Sequence, residues 1–303
     1  MLFAVVAVEV LVTYARTPSH ELYHVSGGGL ELGAGRALVF LNYPVALAAL
    51  AVLGLLWERL EPRLRPVAIL AAVLCAAVFW PGVVDQANLD ARPVNALAAV
   101  GVLLAAALSL VAGAAPARPR SPAADRGRIA AVAALLFVAL PWEAADLGFF
   151  FDHTPLGSVF QTGELRRQSG TPGLHPAVHH GHHHGIDGVL LVLAALLLSR
   201  ALAGVRARRL RAAVGAYLSL MLAYGLANVA NDFEIEQVLK RGWTSWEMPS
   251  VLQPAATLPW LGIAVAAAVM WLAYERSSTR PAAKNAPNAG RNATSGDSSV
   301  ISA

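Results

Sequence analysis

The sequence predicts an all-α fold: a polytopic integral membrane helix bundle of about eight transmembrane helices, with both termini cytoplasmic. Three observations carry that expectation. Apolar residues make up 56% of the chain and charged residues 14%, with a mean hydropathy of +0.54. A soluble domain carries about a quarter charged residues, so this balance lies far from the globular norm. The apolar residues also come in long, nearly unbroken blocks, and the basic residues fall between those blocks on alternate sides.

The blocks run approximately over 1–15, 37–57, 66–84, 93–114, 129–151, 187–199, 212–230 and 258–274. A spanning helix needs roughly 17 to 25 residues, so the short first and sixth blocks are expected to extend into their flanks. Glu9 sits in the middle of the first block and nothing basic precedes it, which argues against a secretory signal peptide. Residues 1–276 therefore read as one transmembrane domain with an outer histidine-rich loop at 152–186. The stretch 277–303, small, polar and proline-bearing, reads as a disordered cytoplasmic tail. An Asn292-Ala293-Thr294 glycosylation acceptor falls on the predicted inner side, where it carries no meaning. Cys75 is the one cysteine, which excludes an intrachain disulfide and a cysteine-based metal knuckle. No internal repeat argues for an inverted-repeat transporter.

Orientation follows from the arginines. Segments 58–66, 115–128, 200–211 and the tail hold sixteen of the 23 lysines and arginines, all on one side of an eight-helix alternation. The positive-inside rule makes that side cytoplasmic and the location the inner (plasma) membrane. The net charge of +4 thus reports topology, and no nucleic-acid partner is implied. The opposite face holds eleven acids, among them Glu21, Asp152, Asp187, Asp232, Glu234 and Glu236, and every histidine of the chain. Removal of basic residues from outer loops explains the acids by default but not the histidines.

Six of the nine histidines lie in "HPAVHHGHHHGID", residues 175–187: His175, His179, His180, His182, His183 and His184. In a helix, His180 and His184 share a face, as do His179 and His183; in an extended chain His180, His182 and His184 do. Either geometry offers two or three imidazoles to a divalent transition metal: zinc, nickel, cobalt or copper. Asp187 opens the following helix, where it suits the dipole and can orient an imidazole. The alternative is a loose cation buffer without fixed geometry.

A second group is His20-Glu21-Leu22-Tyr23-His24, on a short helix capped by Thr17 and Pro18 and ended by Gly27-Gly28-Gly29. These five residues resemble the HExxH motif of zinc metalloproteases. That resemblance implies His20 and His24 as zinc ligands and Glu21 as the general base. The motif stands at the predicted outer interface, whereas intramembrane zinc proteases carry it within a spanning helix. The stretch "HHGHHHGIDGVLLVLAALLL" is similar to the G-x-D-H pattern of nickel and cobalt permease-related membrane families. Gly185 and Asp187 match, and Gly188 stands where those families place a metal-binding histidine. The pairs His20/His24 and His175/His179/His180 also resemble boxes of di-iron desaturases and hydroxylases, which imply a cytoplasmic active site.

Glu9, Glu143 and Asp146 are the carboxylates predicted within helices, where ionisable groups are costly and functional by default. Glu143 and Asp146 are three apart and share a helix face. Asn228, Asn231 and Asp232 border the outer end of the 212–230 block; Asp232, and Asp146 near the outer end of the 129–151 block, are expected to be wetted at the interface. Loop 231–257, with Trp243 and Trp246, reads as a short amphipathic helix on the outer leaflet. The expected function is an extracytoplasmic histidine-rich site for uptake or handling of a divalent metal, the partners being the lipid bilayer and the ion. The other readings are a membrane metalloenzyme on the same histidines and a non-catalytic assembly or pH-sensing subunit.

Overall fold

The computed structural model describes residues 33–80, 92–113, 122–146, 154–155, 165–167, 174–176, 183–252 and 254–279, with Val8 and Val12. At 33–41, 93–94, 122–123, 141–146, 166–167, 175–176, 183–184 and 277–279 it describes the backbone alone. Among the described residues, long helices occupy seven of the eight apolar blocks. They are α1 (Gly33–Leu56), α2 (Arg65–Cys75), α3 (Pro93–Ala112), α4 (Pro122–Asp146), α5 (His183–Ser199), α6 (Arg208–Phe233) and α7 (Leu258–Thr279). Of the first block, Val8 and Val12 alone are described. Two short strands, β1 (Leu165–Arg167) and β2 (Leu174–Pro176), pair antiparallel with Arg166 opposite His175.

The short sixth block does extend into its flank: α5 starts at His183, and a 3₁₀ turn at Ala201–Gly204 prolongs it. The helix α2 is likewise continued by a 3₁₀ turn, Ala76–Phe79. Five stretches are long and apolar enough to cross a membrane: Pro62–Phe79, Asn95–Ala112, Gly185–Gly204, Arg208–Leu239 and Leu258–Arg276. In α1 the apolar part is the shorter Asn42–Leu56.

Helices α1 and α5 form the middle of the bundle. The first packs against α2, α3, α5 and α6, the second against α1, α4 and α6, while α7 lies on α6. The main core joins Leu47, Leu53, Ala71, Ala98, Leu191, Leu218 and Met221, and Pro44 is fully buried within α1. A second cluster joins Leu135 and Ala139 of α4 to Ile186, Leu190 and Leu193 of α5. Outward-facing positions are apolar too: Leu110 is 84%, Phe137 75% and Leu258 82% exposed. Apolar surface on this scale would be a liability in water and is the expected coat of a helix bundle in lipid.

One end of the bundle gathers the arginine-bearing connections. The Arg59 guanidinium donates to the carbonyls of Ala112, at 2.8 Å, and Gly113, closing the open C-terminus of α3. Glu58 accepts the backbone N–H groups of Arg206 and Ala207 at 2.7 and 2.6 Å, and so caps α6 from another segment. Asp125 holds Arg128 at 3.1 Å and Arg200 at 3.7 Å, and Arg128 donates to Ser199. Segments 58–66, 122–128 and 200–211 therefore meet at one end, as the alternation requires.

Candidate functional site

At the opposite end, α5 and α6 cross on a pair of glycines. A Cβ on Gly188 would stand 2.6 Å from the Gly225 carbonyl oxygen, and one on Gly225 would stand 2.8 Å from that of Gly188. Only glycine permits this approach of two backbones, the small-residue crossing common between membrane helices. The crossing sets Asp187, one residue before Gly188, against the end of α6. Asp187, Asn228, Asn231, Asp232 and Glu236 are all buried there, Glu236 completely.

Asp232 is the centre of the group. It accepts the backbone N–H of Gly185, in the open first turn of α5, and the fields of Glu236, Lys240 and Asp187 act on it. Lys240 is bonded to both oxygens of Glu236, at 2.7 and 2.8 Å. These two residues are brought together by a π-helical turn, Glu234–Leu239, that continues α6. There the N–H groups of Lys240 and Trp243 reach back five residues, to Ile235 and Val238. Such widened turns are frequent at functional sites. Gly242, at φ +74°, then ends the helix with its N–H on the Leu239 carbonyl.

Tyrosines line the inner side of the acids. Tyr43 of α1 donates to the Tyr224 hydroxyl at 3.0 Å, and Tyr224 donates to the Leu252 carbonyl at 2.6 Å. Asp187 lies near enough for its charge to act on both phenols. Asn42 donates to the Asn95 carbonyl at 2.7 Å, which adds α3 to this polar layer. The segment 243–252 is a non-helical strap over the outer side. Asn231 donates to the Met248 carbonyl at 2.9 Å, Glu234 accepts the Met248 N–H at 3.0 Å, and Val251 and Leu252 are buried.

Three expectations are corrected. Asp232 is 3% exposed rather than wetted, because the strap and the α5 terminus close over it. Asp187 does not open its helix: His183 does, which puts Asp187 in the second turn. The amphipathic helix over 231–257 does not form. Residues 231–239 prolong α6 instead, and the strap's backbone is held by side chains of that helix. Trp243 and Trp246 are still well exposed, as interfacial anchors would be.

Of the sequence-derived site residues, His20, Glu21, His24, His179, His180 and His182 lie outside the described residues. The backbone places His175 in β2, His183 and His184 in the first turn of α5, and Glu143 and Asp146 in the last turn of α4. His183 and Asp187 are four apart and so share a helical face. Among the described residues, no group of three or more His, Cys, Asp or Glu side chains is arranged to hold a metal ion. Glu236, Lys240, Tyr43 and Tyr224 were not anticipated. The one available signal was the i,i+4 spacing of Glu236 and Lys240 immediately after an apolar block.

No family model matches the chain, and no curated protein or solved structure matches it either.

Proposed function

We propose that this chain is a membrane protein that captures a divalent transition metal, zinc, nickel, cobalt or copper, for uptake or handling. The observation that carries this reading is the course of α5. Its first turn begins with His183 and His184, and its second brings Asp187 into a buried cluster with Asp232 and Glu236. Two histidines and Asp187 thus fall within five residues of one helix, and borderline divalent ions accept both imidazole and carboxylate. Buried carboxylates are tolerated only when positive charge or protons accompany them, and Lys240 supplies one such charge. In this reading His175, His179, His180, His182, His183 and His184 capture the ion, and His20, His24, Glu143 and Asp146 add ligands. The arginine end faces the cytoplasm of the inner membrane and the histidines face outward.

Elemental analysis of the purified full-length protein tests this, before and after His179, His180, His182, His183 and His184 are replaced by asparagine. The expected result is a near-integer metal content that the substitutions abolish and that is lost below about pH 6, as imidazoles protonate. Absence of bound zinc, nickel, cobalt, copper and iron would remove both this reading and the metalloenzyme with Glu21 as base. The buried carboxylates beside a histidine segment favour one other reading, a proton-sensing subunit. It would respond near pH 6 with no metal bound.

A further inference from the structure

We propose that Arg206, Arg208 and Arg209 form a binding site for the phosphate of anionic phospholipid headgroups. The arginine end holds eleven arginines among the described residues, and several have protein partners there. Arg59 closes α3, Arg65 stacks over Trp57 at 5.5 Å, Arg63 pairs with Glu61, and Arg128 and Arg200 share Asp125. Arg206, Arg208 and Arg209 are exposed, and no salt bridge among the described residues engages their guanidinium groups. Glu58, on which the Arg206 charge also acts, spends its carboxylate chiefly on the backbone N–H groups of Arg206 and Ala207.

Their place in the fold makes the arrangement unfavourable without an anion. Arg208, Arg209 and Arg211 occupy the first turn of α6, which holds no acid, so their charges stand at the positive end of the helix dipole. Retention on one side of a membrane needs only positive charge somewhere in the loop. Here the charges are concentrated where the helix itself repels them. Leu202 and Val205 are buried immediately before them and the membrane-spanning stretch begins at Arg208, which puts the three arginines at one end of that stretch. Lipid phosphates lie at that depth, and guanidinium binds phosphate through two parallel hydrogen bonds.

Native mass spectrometry of the full-length protein in neutral detergent, titrated with phosphatidylglycerol or phosphatidylcholine, tests the proposal. The protein is expected to retain phosphatidylglycerol preferentially, and R206Q/R208Q/R209Q to lose that preference by about tenfold or more. The charge-matched R118Q/R120Q/R126Q, altered on the same predicted side, is expected to keep it. Equal losses in the two variants would mean diffuse surface charge and would overturn the site, as would absence of any preference in the parent. Inorganic phosphate at matched ionic strength should leave the bound lipid in place; displacement would overturn the lipid assignment. If the triple variant does not fold, R209Q against R126Q gives the same contrast at smaller amplitude, and equal losses there overturn it too.

Discussion

Glu58 shows how much one exposed side chain organises. Its carboxylate accepts the N–H groups of Arg206 and Ala207, and those two hydrogen bonds, with the nearby Arg206 charge, hold it below the usual glutamate range. A group whose acidity is strengthened by folding stabilises the fold above its unfolded value. That contribution disappears as pH falls through the lowered folded value. The difference in melting temperature between the parent and Glu58→Gln is therefore expected to be present at neutral pH and to vanish in acid. Melting curves across that range measure it, and a difference that grew on acidification would contradict the capping role. Nothing around "WERLE" in the sequence announced this bond, because its partner lies about 150 residues away. Asp187 and Asp232 stood out early because each borders an apolar block. Glu236 did not, since the run "NDFEIEQ" reads as the end of a span. Its burial becomes tolerable only through Lys240, one helical turn on.

At the scale of elements, the glycine crossing of α5 and α6 is a backbone-to-backbone contact that leaves no room for a Cβ. Gly188→Ala is expected to lower stability by about 1–3 kcal/mol, because the new Cβ meets backbone atoms that cannot rotate away. Gly262→Ala is the control: nothing lies within 4 Å of its Cβ position, so the change is expected to be neutral or slightly stabilising. Thermal unfolding in detergent compares the two, and a neutral Gly188→Ala would show that the helices can part freely. Seven of the eight apolar blocks were recognisable as helices, since hydropathy alone dictates that a long apolar run must satisfy its own backbone in lipid. Helix ends were less legible. The α6 helix runs nine residues past its apolar block, to Leu239, because pairing and capping, not hydropathy, decide where it stops. The 243–252 strap was unreadable for a related reason: its shape is set by Tyr224, Asn231 and Glu234 on another element.

For the whole molecule, the segregation of charge is the feature most fully legible in the sequence. Alternation put loops 58–66, 115–128 and 200–211 on one side, and the ties through Arg59, Glu58 and Asp125 join their described residues at one end. The sidedness itself is a prediction about intact cells. With Cys75 replaced by serine, a cysteine introduced at 170 is expected to react with an impermeant thiol reagent from outside, and one at 205 only after permeabilisation. Labelling at 205 in intact cells would reverse the orientation. What could not be read is the pairing of the acids with the Tyr43–Tyr224 layer, since helix arrangement leaves no trace in a one-dimensional pattern of apolar runs.

The hydrogen bond from Gly185 to Asp232 also fixes a depth. Gly185 begins a 20-residue apolar span that ends at Gly204, about 30 Å of helix, which matches a hydrocarbon core of about 30 Å. Where that span fills the hydrocarbon, Asp232 falls at its rim, with Asp187 about 3 Å inside and Glu236 and Lys240 beyond. Secondary transporters hold their cargo near the midplane, where a bound ion has crossed part of the transmembrane field. An ion held at this rim, as the proposed metal capture requires, would have crossed almost none of it, and its occupancy would be indifferent to membrane voltage.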